Sequence, residues 1–176
     1  MKKIVLTFGL ISGAILSVMM LITLPFHEAL GDDRSLILGY TSMVLAFLLV
    51  FFGVRSYRDN IAGGTVGFGR AFAVGALIAL VASLCYVGTW EVIYFKFAPD
   101  YLTKYQARML EKARAEGASE ETLSLKKAEM DKMAVMYRNP AINAAMTLVE
   151  PLPVGLLIAL VSAGVLSRRK KSPAGG

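Results

Sequence analysis

The sequence predicts an all-α integral membrane protein: four transmembrane helices, with an extracytoplasmic amphipathic helical hairpin between the third and fourth. Three observations carry that expectation. The 176 residues are 56% hydrophobic and only 18% charged, against about 25% charged in an ordinary soluble domain. Mean hydropathy is +0.57. The apolar residues gather into four long runs, about 4–26, 36–54, 71–97 and 141–167, and the one extended polar stretch, 100–138, carries helical periodicity. The whole chain, 1–176, is read as a single transmembrane domain with that stretch as an insertion.

The formal net charge of +6 would fit a nucleic-acid binder if the excess lay on one soluble face. The basic residues sit instead at the ends of apolar runs, so no nucleic-acid partner is expected. Cys85 is the only cysteine. That excludes an intrachain disulfide and a thiolate metal cluster, and a small buried apolar side chain is the simplest use of the residue.

Lys2 and Lys3 precede the first run, which is too long for the apolar region of a cleavable signal and long enough to cross about 30 Å of hydrocarbon. Gly9, Gly13 and Ser17 share one face and permit close approach of a neighbouring helix. A short acidic loop, 27–35, follows and begins with His27, the one histidine. The second run has Tyr40 and Tyr57 near its ends, where amphipathic rings suit the headgroup zone.

Arg55, Arg58 and Arg70 bracket a glycine-rich connector, 61–69. A phosphate-cradling loop would need a preceding strand and a Gly-Lys-Ser/Thr ending. Neither is present, so the connector reads as a tight turn.

In the third run Ala71, Gly75, Ala79 and Ser83 recur every four residues, a smooth ridge for helix packing. Tyr86, Trp90, Tyr94 and Phe95 crowd its far third, and Glu91 lies among them. Pro99 ends the run.

In the polar stretch, Tyr101, Leu102, Tyr105, Met109, Leu110 and Ala113 fall at helical spacing, Gly117 marks a stop, and Ser119 with Glu120 and Glu121 marks a new start. Leu123, Met130, Met133, Ala134, Met136 and Tyr137 give the second helix an apolar stripe that ends at Asn139-Pro140. Acids and bases nearly cancel, which favours packing on the bundle or on a partner over gripping anionic lipid.

The fourth run is interrupted by Glu150-Pro151-Leu152-Pro153, because proline removes a backbone donor and disfavours helix in the residue before it. Gly155, Ala159 and Ala163 then form a second small-residue ridge. The run ends in Arg168, Arg169, Lys170 and Lys171. Short basic segments flank one side, which places both termini in the cytoplasm by the positive-inside rule.

Gly63-Gly64 with Phe68-Gly69-Arg70-Ala71-Phe72, the Tyr86–Trp90–Tyr94 aromatic run, Pro99-Asp100, Gly117 to Glu121 and Glu150 with Gly155 resemble the membrane family called domain of unknown function 4199. The resemblance covers nearly the whole chain. It implies a four-span bacterial envelope protein in the cytoplasmic (inner) membrane and carries no activity with it.

With a single histidine, neither a histidine metal site nor a serine nucleophile with its base is expected. No cofactor, metal or catalytic residue is assigned, and the chain is expected not to be an enzyme. Two intramembrane acids remain, and each costs on the order of 2.5–3.5 kcal/mol at depth. Glu91, Glu150, Tyr94 and Trp90 are therefore the candidate polar site. The leading functional expectation is a structural or accessory protein acting through helix–helix contacts, with lipid, a second copy or another membrane protein as partner through 100–138. The alternative is a small oligomeric carrier that binds a proton or cationic solute at the intramembrane glutamates.

Overall fold

A chain this apolar can enter hydrocarbon only if its backbone N–H and C=O groups pair within the segment, and an α-helix does that. The computed structural model describes residues 1–24 and 31–167, with the backbone alone at Asp32 and Asp33. The expected end of the first span at Phe26, His27, and the basic cluster Arg168 to Lys171 lie outside the described residues.

Among the described residues seven α-helices follow one another: α1 Lys2–Thr23, α2 Asp32–Asn60, α3 Phe68–Val92, α4 Tyr101–Ala115, α5 Glu120–Tyr137, α6 Pro140–Leu148 and α7 Pro151–Leu166. A π-helical turn, Ile93–Phe97, prolongs α3. Four stretches of the described residues are long and apolar enough to cross a membrane: Lys2–Thr23, Arg34–Asn60, Phe68–Phe97 and Pro140–Leu166. The fold is thus all-α, with four long apolar helices and two further helices, α4 and α5, between the third and fourth.

Local chemistry sets the breaks. Gly63 and Gly64 turn the chain after α2 at φ of 69° and 86°, values that other residues adopt only with strain. The side chain of Ser119 accepts the backbone N–H of Thr122 at 3.2 Å, and Glu120 and Glu121 occupy the first turn of α5. Both choices satisfy or complement the exposed N–H groups of a helix start. The fourth apolar stretch stops at Leu148 and resumes at Pro151, because Pro151 and Pro153 supply no N–H to the preceding turn.

Internal contacts divide the chain into two compact units, residues 1–87 with the described part of 148–176, and residues 88–147. The first unit is held by helices that approach closely. A Cβ added at Gly75 would lie 2.9 Å from Ala159 Cβ, and one at Gly155 would lie 2.7 Å from Ala79 Cβ. The pairs 75–159 and 79–155 make α3 and α7 antiparallel. A Cβ at Gly9 or Gly13 would meet the Cβ of Val81 or Cys85, at 2.7 and 2.6 Å, so α1 runs parallel to α3.

Phe47, Val50, Val54, Val74 and Ile78 fill the spaces between these ridges and are fully buried. Ser12 donates to the carbonyl of Ala46 at 2.8 Å and ties α1 to α2. By this alternation Lys2, Lys3, Arg55, Arg58 and Arg70 fall at one end of the unit.

The second unit contains the last turns of α3, then α4, α5 and most of α6. Ala113 and Leu123 are buried. Gln106 on α4 donates to Asp131 of α5 at 2.7 Å and to the Lys127 carbonyl at 3.4 Å. Lys127 closes on Asp131 from the same helix at 2.7 Å.

Candidate functional site

The four polar candidates divide between the two units. Glu150 belongs to the first, while Trp90, Glu91 and Tyr94 belong to the second.

In the first unit the break between α6 and α7 leaves Glu150 at the threshold of α7. Tyr86 of α3 donates its hydroxyl to Glu150 Oε2 at 3.1 Å. The register that pairs Ala79 with Gly155 brings Tyr86, two turns further along α3, to this level. Glu150 is exposed at the surface of the unit, although it stands within an apolar stretch. Gly155, Ala159 and Ala163 are turned inward and buried. Ala71, Gly75, Ala79 and Ser83 are buried as well.

In the second unit the organising side chain is Asn143, a residue the sequence reading passed over. It is fully buried. Its Oδ1 accepts from Trp90 Nε1 at 3.1 Å and from Thr147 Oγ1 at 3.2 Å, and its Nδ2 donates to the carbonyl of Tyr137 at 3.3 Å. Three of the four hydrogen bonds an amide can make are therefore in place.

Rings surround the amide. Trp90 meets Tyr94 at 5.8 Å between centroids and Tyr101 edge-to-face at 5.0 Å. Tyr94 meets Tyr137 at 6.1 Å. These separations lie in the range where aromatic pairs attract beyond their buried area. The π-helical turn carries the Ala98 N–H to the carbonyl of Ile93 at 2.8 Å. Glu91 Oε1 is inaccessible and has no hydrogen-bond partner among the described residues.

The signal for Asn143 was present in the sequence: it is an amide within an apolar run, three residues after Pro140, and an amide there must find partners. Its partners were not legible, because they come from α3, α5 and α6. Among the described residues no three His, Cys, Asp or Glu side chains gather closely enough to hold a metal ion.

Four apolar helices of spanning length, tied by close small-residue contacts and by hydrogen bonds inside the apolar stretches, define a multi-pass all-α membrane protein. Residues 7–168 match the family described as protein of unknown function DUF4199, and the chain belongs to that family. No curated protein and no solved structure matches it.

Proposed function

We propose that this chain is a non-enzymatic accessory protein of a bacterial cytoplasmic membrane, with both termini in the cytoplasm and the α4–α5 hairpin on the outer side. The hairpin binds another membrane protein through the outward face of α5. One observation carries this reading. Leu125, Met133, Val135 and Met136 are apolar yet 63%, 47%, 65% and 49% exposed, while Leu123 on the same helix is buried.

The apolar stripe of α5 is therefore split. Leu123, Met130, Ala134 and Tyr137 are buried or half-buried, and the remainder is left uncovered. Uncovered apolar side chains on a helix that is otherwise charged are the usual anchors of a partner surface. The orientation rests on Lys2, Lys3, Arg55, Arg58 and Arg70 at one end of the first unit, the distribution the positive-inside rule assigns to the cytoplasm.

The test is comparative purification of the full chain from membranes in mild detergent. Met133→Lys with Met136→Lys should remove co-purifying membrane proteins while folded yield is unchanged, since both side chains are exposed. An unchanged set of partners would sink the accessory reading. A reporter active only outside the cytoplasm should work near Gly117 and fail after Gly176. The reverse pattern would overturn the orientation and leave the binding result standing.

A further inference from the structure

One face of α7 is unused by the fold, and it is not uniformly apolar. Glu150, Pro153, Leu157, Leu160 and Gly164 are all exposed. They succeed one another in alternating steps of three and four residues, the spacing of a coiled-coil seam. The small-residue ridge Gly155, Ala159, Ala163 lies on a different side of the helix, buried. A Cβ at Gly164 would meet nothing within 4 Å, so a second backbone has room to approach there.

We propose that this line is the seam of a parallel homodimer within the membrane, in which Glu150 of each copy hydrogen-bonds its counterpart. The occupant follows from the chemistry of the acid. The fourth apolar stretch runs from Pro140 to Leu166. At about 1.5 Å of rise per residue Glu150 lies about 15 Å from its first residue and about 24 Å from its last, farther than a glutamate side chain extends towards the headgroups at either end. Tyr86 donates to Oε2, the one hydrogen bond Glu150 makes among the described residues, which orients the carboxyl and leaves Oε1 for another group.

A carboxyl that keeps its proton is donor and acceptor at once. It is therefore complementary to a copy of itself, as a two-fold contact requires. Copies inserted in the same direction are related by an axis along the membrane normal. Each seam residue then faces its own counterpart. A polar group at one seam position also fixes register, since any slip would leave it facing apolar side chains.

The experiment uses the full chain in its membrane, with Cys85→Ala and one new cysteine at a time, under a mild oxidant. Leu157→Cys and Gly164→Cys should give a crosslinked dimer at least about tenfold above Leu84→Cys, a control on the exposed face of α3. Adding Glu150→Leu should weaken dimerisation by about three- to tenfold, the scale of one interhelical hydrogen bond in a membrane. Glu150→Gln should restore it, because an amide is also self-complementary. Thermal unfolding of each detergent-solubilised variant, followed by circular dichroism, reports whether it remains folded. Seam cysteines that crosslink no better than Leu84→Cys overturn the proposal, and so does a folded Glu150→Leu variant that dimerises like the parent. Met133→Lys with Met136→Lys should leave these crosslinks in place, which separates this seam from the surface on α5.

Discussion

The two compact units solve the same problem with opposite means. In the first, helices meet through missing side chains: Gly75 against Ala159, Gly155 against Ala79, Gly9 against Val81. In the second, they meet through large ones, with Trp90, Tyr94, Tyr101 and Tyr137 arranged around the buried amide of Asn143. Lipid tails are as apolar as leucine, so an apolar core inside a bilayer gains little from leaving the solvent, and close van der Waals contact must hold it. Glycine and alanine maximise that contact over a long ridge. Aromatic rings and an amide instead make a few directional contacts, and those concentrate stability in single residues. The first unit should therefore be sensitive to added volume and the second to removed polar groups.

The largest effect is expected from added volume. Gly75→Leu should cost about 3 kcal/mol, because the helix pair must part to admit the side chain. Even Gly75→Ala puts a Cβ 2.9 Å from Ala159 Cβ. Combining it with Ala159→Gly should recover most of the loss. Thermal unfolding of the detergent-solubilised protein measures this as a double-mutant cycle. Additive losses would show that the ridge is not the contact that holds the first unit. Gly39→Ala, where an added Cβ meets nothing within 4 Å, should change stability by less than about 1 kcal/mol.

A smaller effect is expected in the second unit. Asn143→Ala should cost about 1–3 kcal/mol, since Trp90 Nε1 loses its acceptor. Trp90 is the only tryptophan, so its emission reads this unit directly. The spectrum should shift in Asn143→Ala and stay put in Asn143→Asp, which retains an acceptor for the indole. Equal shifts in both would mean that ring packing, and not the hydrogen bond, sets the environment of Trp90.

The smallest effect is electrostatic. Hydrogen bonds from Gln106, then from Lys127, hold the Asp131 carboxyl below the usual carboxylate range. A carboxylate with a lowered folded-state pKa stabilises the fold above its unfolded value of about 3.9, and that contribution is lost as pH falls through the lower folded value. Amide exchange in α4 and α5 should rise modestly on such acidification. Asp131→Asn should remove most of that response. The pair is exposed and salt-screened, so the change should shrink at high ionic strength. A response that persists undiminished in Asp131→Asn would assign it to another acid.

Much of this molecule was determined by sequence alone, for a local reason. Length and apolarity select helices of spanning size. Gly63-Gly64, Ser119-Glu120-Glu121, Asn139-Pro140 and Pro151 break the chain through their own backbone chemistry, and the structure has its turns and helix starts at those residues. The direction in which a side chain faces is not local. Six residues of α5 read as one apolar stripe, yet the structure buries or half-buries four of them and leaves Met133 and Met136 outward, because α4 covers only part of the circumference. Asn143 was visible as an amide, but its role depends on groups from three other positions along the chain. Glu150 and Glu91 were grouped by type and apolar setting. Packing gave one of them the hydroxyl of Tyr86 and left Oε1 of the other without a partner among the described residues. Helical periodicity records which residues share a face, and only the neighbouring helices decide which face is covered.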